Sequence, residues 1–175
     1  MRLVVADASS LILLAKSSLL RVYGERVTLL APRQVLREAA AEKLWHRYPD
    51  ASEIARCAEE GIVREEIVRS RRQLPLSLGE GEAAAIRLFL AREADLLLSD
   101  DGRALRTCRL LGVPFTTTPR VIVDLESNGA ITLGRARRAL EKVALEGRYS
   151  RDVIAAALVA LVETRHDDTN DDSTS

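Results

Sequence analysis

The chain is poor in aromatics, in lysine and in cysteine. Phe, Trp and Tyr make up only 3% of its 175 residues, so aliphatic side chains must fill any core. Ala-rich helices packed on Val/Leu strands suit that composition. Lysine occurs only at Lys16, Lys43 and Lys142, so the basic side is almost entirely arginine. The planar guanidinium fork suits phosphate, although codon bias in a GC-rich genome explains the excess more simply. The two cysteines, Cys57 and Cys108, are far apart and have no His or Cys at metal spacing, which excludes a zinc pattern and a secreted disulfide framework. No apolar stretch reaches the roughly 18 residues of a membrane span, and the N-terminal run Leu3–Ala6 is cut short by Asp7. A cytoplasmic protein with no membrane partner is expected. Net charge is zero, so the overall field points to no polyanion. That balance is uneven: setting aside Asp167, Asp168, Asp171 and Asp172 near the C-terminus leaves the remainder at +4.

What is present is strand–helix alternation. Leu3–Ala6 and Leu96–Leu98 are short, wholly apolar runs, fit for strands buried on both faces. Val27–Leu30 and Val113–Thr116 read as further strands, and Ile62–Val68 as a strand or a helix extension. The spacing predicts helices over Leu11–Leu20, Pro32–Trp45, Pro49–Gly61, Ser77–Ala94, Asp101–Leu111 and Thr118–Asn128. A terminal helix pair is predicted over Thr132–Glu146 and Ser150–Thr164. Such alternation implies an α/β fold: a central parallel sheet of four to five strands with helices on both faces. Sites in such sheets lie beyond the carboxyl ends of the strands, where strand order reverses.

Acidic side chains fall at those ends. Asp7 directly follows the first strand. It could cap the next helix, but Ser9 and Ser10 could do that without charge. Asp100 and Asp101 follow Leu96–Leu98; one can cap a helix and the other is surplus. Glu38 lies on a helix beside Arg33, Arg37 and Glu42, and by itself reads as a solvated face. Ser77-Leu78-Gly79-Glu80 has the form of a capping box, which would occupy Glu80 and leave Glu82 for other work. Carboxylates gathered in one cleft repel one another and lose solvation, so a fold that collects several usually holds a cation there. Oxygen donors without His or Cys suit Mg²⁺ or Mn²⁺.

Four motifs in order carry a resemblance. D-A-S-S-L-I-L-L-A-K (Asp7–Lys16), A-P-R-Q-V-L-R-E-A (Ala31–Ala39), G-E-G-E-A-A-A-I-R-L (Gly79–Leu88) and L-L-L-S-D-D-G-R-A (Leu96–Ala104) together resemble the PIN domain family. The match is to its bacterial and archaeal branch with D-A-S-x-L-I and G-E-x-E-A motifs, over about residues 2–160. The resemblance implies a PIN-like three-layer fold. Residues 1–130 would be the catalytic core, 131–165 a helix pair packed on it, and 166–175 a disordered acidic tail.

It also implies an acidic quartet of Asp7, Glu38, Glu82 and one of Asp100 or Asp101. Asp7, Glu82 and Asp101 or Asp100 would ligate Mg²⁺ or Mn²⁺, with Ser9, Ser99 and Arg103 positioning water or substrate. The implied activity is metal-dependent endonucleolytic cleavage of single-stranded RNA, by a homodimer that is the toxin half of a toxin–antitoxin pair. Arg69–Arg72, Arg103, Arg106 and Arg109 are candidate phosphate contacts, and Trp45 and His46 candidate base-stacking groups. The alternative is a PIN-fold module that binds nucleic acid or protein and no longer cuts; occupation of all four acidic positions argues against it. Phosphoryl transfer on an aspartate is disfavoured because all three lysines fall in predicted helices.

Overall fold

The computed structural model describes residues 1–168, with side chains through Glu163. Strands β1 (Leu3–Ala6), β2 (Thr28–Pro32), β3 (Val63–Glu66), β4 (Leu96–Leu98) and β5 (Phe115–Thr116) form one wholly parallel sheet in the order β3-β2-β1-β4-β5. The chain winds one way from β1 to β2 and β3, then crosses back to the other side of β1 for β4 and β5. The reversal therefore lies between β1 and β4. Register places Val5 opposite both Leu30 and Leu97, so these three share one face. They join Ala85, Ile86, Leu88 and Phe89 of α5 (Glu80–Arg92), together with Cys108 and Val113, in one buried cluster. Val4, Leu29 and Val63, on the opposite face, are buried as well. Burial on both faces is why these strands carry no polar alternation.

The connecting segments are α1 (Ala8–Lys16), α2 (Leu20–Gly24), α3 (Arg33–Ala39), a 3-10 turn at Glu42–Leu44, α4 (Pro49–Glu59) and α6 (Gly102–Leu111). Three sequence expectations change here. The helix expected over Leu11–Leu20 is two helices. The Ser17 hydroxyl donates to the Leu13 carbonyl at 2.7 Å, and Ser18 turns into the left-handed region at φ 58°. The helix expected through Trp45 stops at Ala39, and the indole N–H of Trp45 instead donates to the Ala40 carbonyl at 3.1 Å. The Ser77–Glu80 capping box does not form. The N-cap of α5 is Gly79, with no side-chain cap, and Leu74 and Leu78 ahead of it pack against the core cluster. Gly112, at φ 65°, ends α6 as its sequence position predicts.

The chain divides into two compact units, Met1–Thr118 and the residues from Pro119 onward. The first holds the sheet and α1–α6. The second holds most of α7 (Thr118–Ser127), then α8 (Leu133–Glu146) and α9 (Arg151–Asp168). Helix α8 is capped by Thr132, whose hydroxyl accepts from Arg135 N at 3.3 Å. Ala136, Ala139, Leu140 and Val143, at helical spacing, are its buried positions. Helices α8 and α9 touch each other. Of the acidic tail expected at 166–175, residues 166–168 end α9 and 169–175 lie outside the described residues. Both cysteines are buried and unpaired, and burial pushes each thiol up to about 11. No helix among the described residues is long and apolar enough to cross a membrane.

Candidate active site at the strand-order reversal

Asp7 leaves β1 where β4 runs alongside, and its N–H extends the ladder by donating to the Leu98 carbonyl at 3.1 Å. It is the N-cap of α1. Oδ1 accepts from Ser10 N at 3.0 Å, from the Ser10 hydroxyl at 2.7 Å and from the Ser9 hydroxyl at 2.7 Å. Oδ2 accepts from the Ser99 hydroxyl across the strand boundary. Both helix-cap and site readings of Asp7 therefore rest on the same side chain. The carboxyl is buried, and burial raises its pKa above the usual aspartate range despite the lowering influence of Ser99, Ser10 and Ser9.

The same serines tie β1 to the loop after β4. Ser9 Oγ accepts from Asp100 N at 3.1 Å, and Ser99 Oγ accepts from Asp101 N at 3.2 Å. Ser10, buried and assigned no site role from sequence, shares its single hydroxyl proton between Asp7 Oδ1 and the Leu98 carbonyl oxygen, which lies 2.8 Å away. The two adjacent aspartates then diverge. Asp100 holds the start of α7: Thr118 N donates to its Oδ1 at 2.8 Å, and the Thr118 hydroxyl to its Oδ2. Asp101 caps α6 through Oδ1 alone, accepting from Arg103 N at 2.8 Å and Ala104 N at 2.9 Å. Its Oδ2 accepts no hydrogen bond among the described residues. Arg103 is exposed, with Arg106 and Arg109 further along the same helix. Arg109 lies over the Phe115 ring at 5.2 Å.

Glu38 and Glu82 come together from different helices. Glu38 ends α3 after β2, and Glu82 stands in the first turn of α5. A Cβ added to Gly81 would lie 2.8 Å from Glu38 Oε2, so the carboxylate of α3 rests over the bare backbone of α5. Likewise a Cβ at Gly79 would lie 2.1 Å from Glu82 Oε2. Sequence reading missed Gly81 as part of this arrangement. The Glu38 pKa is raised, first by partial desolvation and then by the charges of Glu82, Asp7 and Glu80. The residue is exposed overall, so this desolvation is local to its carboxyl. All three named charges are negative. Neither Glu38 nor Glu82 makes a hydrogen bond or ion pair among the described residues.

This geometry brings one cluster (Asp7, Ser9 and Ser10 at the start of α1, and Ser99, Asp100 and Asp101 after β4) to the reversal point, and Asp7 lies within electrostatic reach of Glu38. A scan against family models matches residues 3–164 to the family described as DUF3368: PIN domain. The chain belongs to the PIN domain family. No curated protein matches it. PIN domains share a nuclease-type fold and are generally nucleases, and they usually bind a divalent metal.

The donor set of this PIN domain fits a hard divalent cation. It is all oxygen, its carboxylates repel, and the charges acting on Glu38 include no positive one. Among the described residues, no three acidic, His or Cys side chains are closed up as a ready metal cage.

Proposed function

We propose that this PIN domain is a metal-dependent endoribonuclease that hydrolyses phosphodiester bonds of single-stranded RNA. The observation that carries the reading is the state of Asp7. A buried carboxylate is fixed by three hydroxyls at the strand-order reversal, within reach of glutamates that have no counter-charge. A structural cap needs one such contact; three hydroxyls and a backbone N–H on one carboxylate fix an orientation.

In this reading Asp7, Glu82 and Asp101 hold Mg²⁺ or Mn²⁺. Asp7 would ligate through the remaining lone pair of Oδ2, which accepts from Ser99 alone, and of the doublet Asp101 is favoured because its Oδ2 accepts no hydrogen bond while Thr118 engages both oxygens of Asp100. When bound, the ion supplies a lowered pKa for a water and neutralises charge on the phosphodiester. The rest is the work of this chain. Ser9 and Ser99 hold the Asp7 oxygens and, through Asp100 N and Asp101 N, the loop that carries its partners. Glu38, whose carboxyl keeps its proton to higher pH than an ordinary glutamate, orients the attacking water. Arg103, exposed beside the cap of α6, meets the phosphate.

A homodimer acting as the toxin of a toxin–antitoxin pair is the cellular setting we infer from the sequence motifs; a neighbouring gene for a small DNA-binding antitoxin would test it. The enzyme itself is tested with mixed single-stranded RNA and Mg²⁺. We expect cleavage by the wild type, its loss with chelator, and a fall of about 10²–10³ in Asp7→Asn, compared at a temperature where circular dichroism shows both chains folded. Undiminished cleavage by Asp7→Asn would overturn the assignment of Asp7.

A further inference from the structure

A cleft along helix α5 has no role in the proposed chemistry. It has a volume of about 310 Å³ and is lined by Gln73, Leu74, Leu76, Ser77, Leu78, Ala83 and Arg87. Ligand clefts span about 300–1,000 Å³, so this one suits a single nucleotide unit rather than a folded element. Its wall is helix α5, the helix that carries Glu82. Ala83 is the next residue and Arg87 lies one turn beyond it on the same face. Glu82 and Arg87 are therefore separated by about 7.5 Å along the helix axis and by about 140° around it, so the cleft flanks the acidic edge on another face of α5.

Arg87 is the telling side chain. Its Nε donates to the Arg72 carbonyl at 2.9 Å, which anchors the basic loop Arg69–Arg72 to α5. The rest of its guanidinium makes no hydrogen bond or ion pair among the described residues. A half-buried arginine in a cleft, fixed at one nitrogen and open at the others, is arranged to accept an anion bidentately. Ser77 and Gln73 add a hydroxyl and an amide, which suit a ribose and a phosphate oxygen. Arg69, Arg71 and Arg72 are exposed on the attached loop. No aromatic ring lines the cleft, so nothing in it stacks on a base.

We infer that this cleft binds the ribose–phosphate of an RNA nucleotide where the strand passes beyond the acidic edge, with Arg87 on the phosphate and without reading the base. The inference rests on the ribonuclease assignment for the identity of the strand, but not on cleavage. It deepens that reading by naming where the strand continues, and it makes recognition here indifferent to sequence.

Binding is measured with the full-length Asp7→Asn chain in chelator, so that nothing is cut, using fluorescein-labelled poly-uridine and poly-adenosine oligoribonucleotides over a salt series. Arg87→Gln should weaken binding about tenfold, equally for both sequences. It should also reduce the slope of log affinity against log salt by about 0.7, the share of one single-strand phosphate contact. Gln73→Glu should weaken both sequences too; it places a negative charge in the cleft while leaving the Arg87–Arg72 anchor intact, so its effect cannot come from loop collapse. Arg26→Gln, the same unit charge change just before β2 at the end of the strands opposite Asp7, should leave affinity unchanged.

Unchanged affinity in Arg87→Gln and Gln73→Glu overturns the inference. So does a loss confined to one sequence, which would mean base reading, or a failure of either oligonucleotide to bind. Cleavage by the wild type in Mg²⁺ is scored separately. If the wild type does not cut but the cleft variants bind more weakly as described, the ribonuclease assignment falls and the cleft assignment stands.

Discussion

The two halves of the acidic site are built in opposite ways. At the Asp7 corner every oxygen is engaged, the carboxyl is buried, and three serines lock two strand ends together. At the Glu38–Glu82 edge no oxygen is engaged, solvent enters, and what acts between the groups is repulsion. The corner is oriented before any ligand arrives; the edge is free to move when one does. A rigid donor sets position, and mobile donors adapt the coordination number of a hard cation, which holds its ligands by charge more than by fixed geometry. Asp101 stands between the two regimes, with one oxygen capping α6 and one open.

The largest test of that contrast uses the aspartate doublet. Asn caps a helix as well as Asp, so Asp101→Asn should fold normally while losing the charge of its open oxygen. We expect kcat/KM to fall about 10²–10³-fold. Asp100→Asn keeps an acceptor for Thr118 N and should cost less than about tenfold in activity. The reverse ranking, read from steady-state kinetics on RNA with matched circular dichroism, would move Asp100 into the site and Asp101 into structure.

Breaking the corner should cost stability before it costs chemistry. Ser10→Ala removes the buried hydroxyl proton shared between Asp7 Oδ1 and the Leu98 carbonyl oxygen. Lost buried hydrogen bonds of this kind cost about 1–3 kcal/mol, or roughly 2–10 °C in a chain of this size. Thermal unfolding followed by circular dichroism reads this directly, and a melting temperature within a degree of wild type would show that the corner is not held by Ser10. Ser10→Thr, which keeps the hydroxyl, should recover most of the loss.

The edge should behave differently, and Gly81→Ala isolates it. Alanine in place of this helical glycine favours α5 by up to about 1 kcal/mol, while its Cβ would lie 2.8 Å from Glu38 Oε2. The only close atom is the end of a flexible side chain; the next, Val35 Cγ2, is at an ordinary 3.6 Å. The fold should be unharmed or slightly more stable, with Glu38 pushed aside and activity down about tenfold. Unaltered activity would mean that Glu38 need not sit over Gly81 to function.

Much of this contrast could be read in the sequence on one side only. β1 and β4 fell at Leu3–Ala6 and Leu96–Leu98 as expected, because strands buried on both faces leave an uninterrupted apolar run that a single acid ends. Parallel pairing of β1 with β4 then brings Asp7 next to the Asp100–Asp101 loop. The helix breaks were less legible. Ser17-Ser18 and Ala39-Ala40-Ala41 carry no glycine or proline, and they end helices through a serine back-bond, a left-handed serine and a tryptophan reaching the Ala40 carbonyl. Those are tertiary outcomes that override propensity. Ser10 was read only as a possible cap, since its bond to Leu98 spans 88 residues. Gly81 was hidden for the same reason: its value lies in what approaches it from α3. Thr118, which holds both oxygens of Asp100, has no local signature either.

The smallest effect expected is also the one most specific to an edge built on repulsion. Folding raises the Glu38 pKa, so it favours the protonated form. The side chain's contribution to stability is therefore full below the ordinary glutamate range and is lost as pH rises through the raised value. Glu38→Gln removes the charge and keeps the shape, so its melting temperature should match wild type near pH 4 and exceed it near neutrality. Solvent screening at this exposed position limits the gain to about 0.5 kcal/mol, or roughly 1–2 °C. The difference should shrink in high salt, because the opposing charges of Glu82, Asp7 and Glu80 are screened. It should shrink again when Mg²⁺ is added, because a cation that relieves the same repulsion stabilises wild type more than the variant. A Gln variant equally stabilised by Mg²⁺, with no pH-dependent gap from wild type, would mean that Glu38 does not feel the other acids and that the two glutamates are independent.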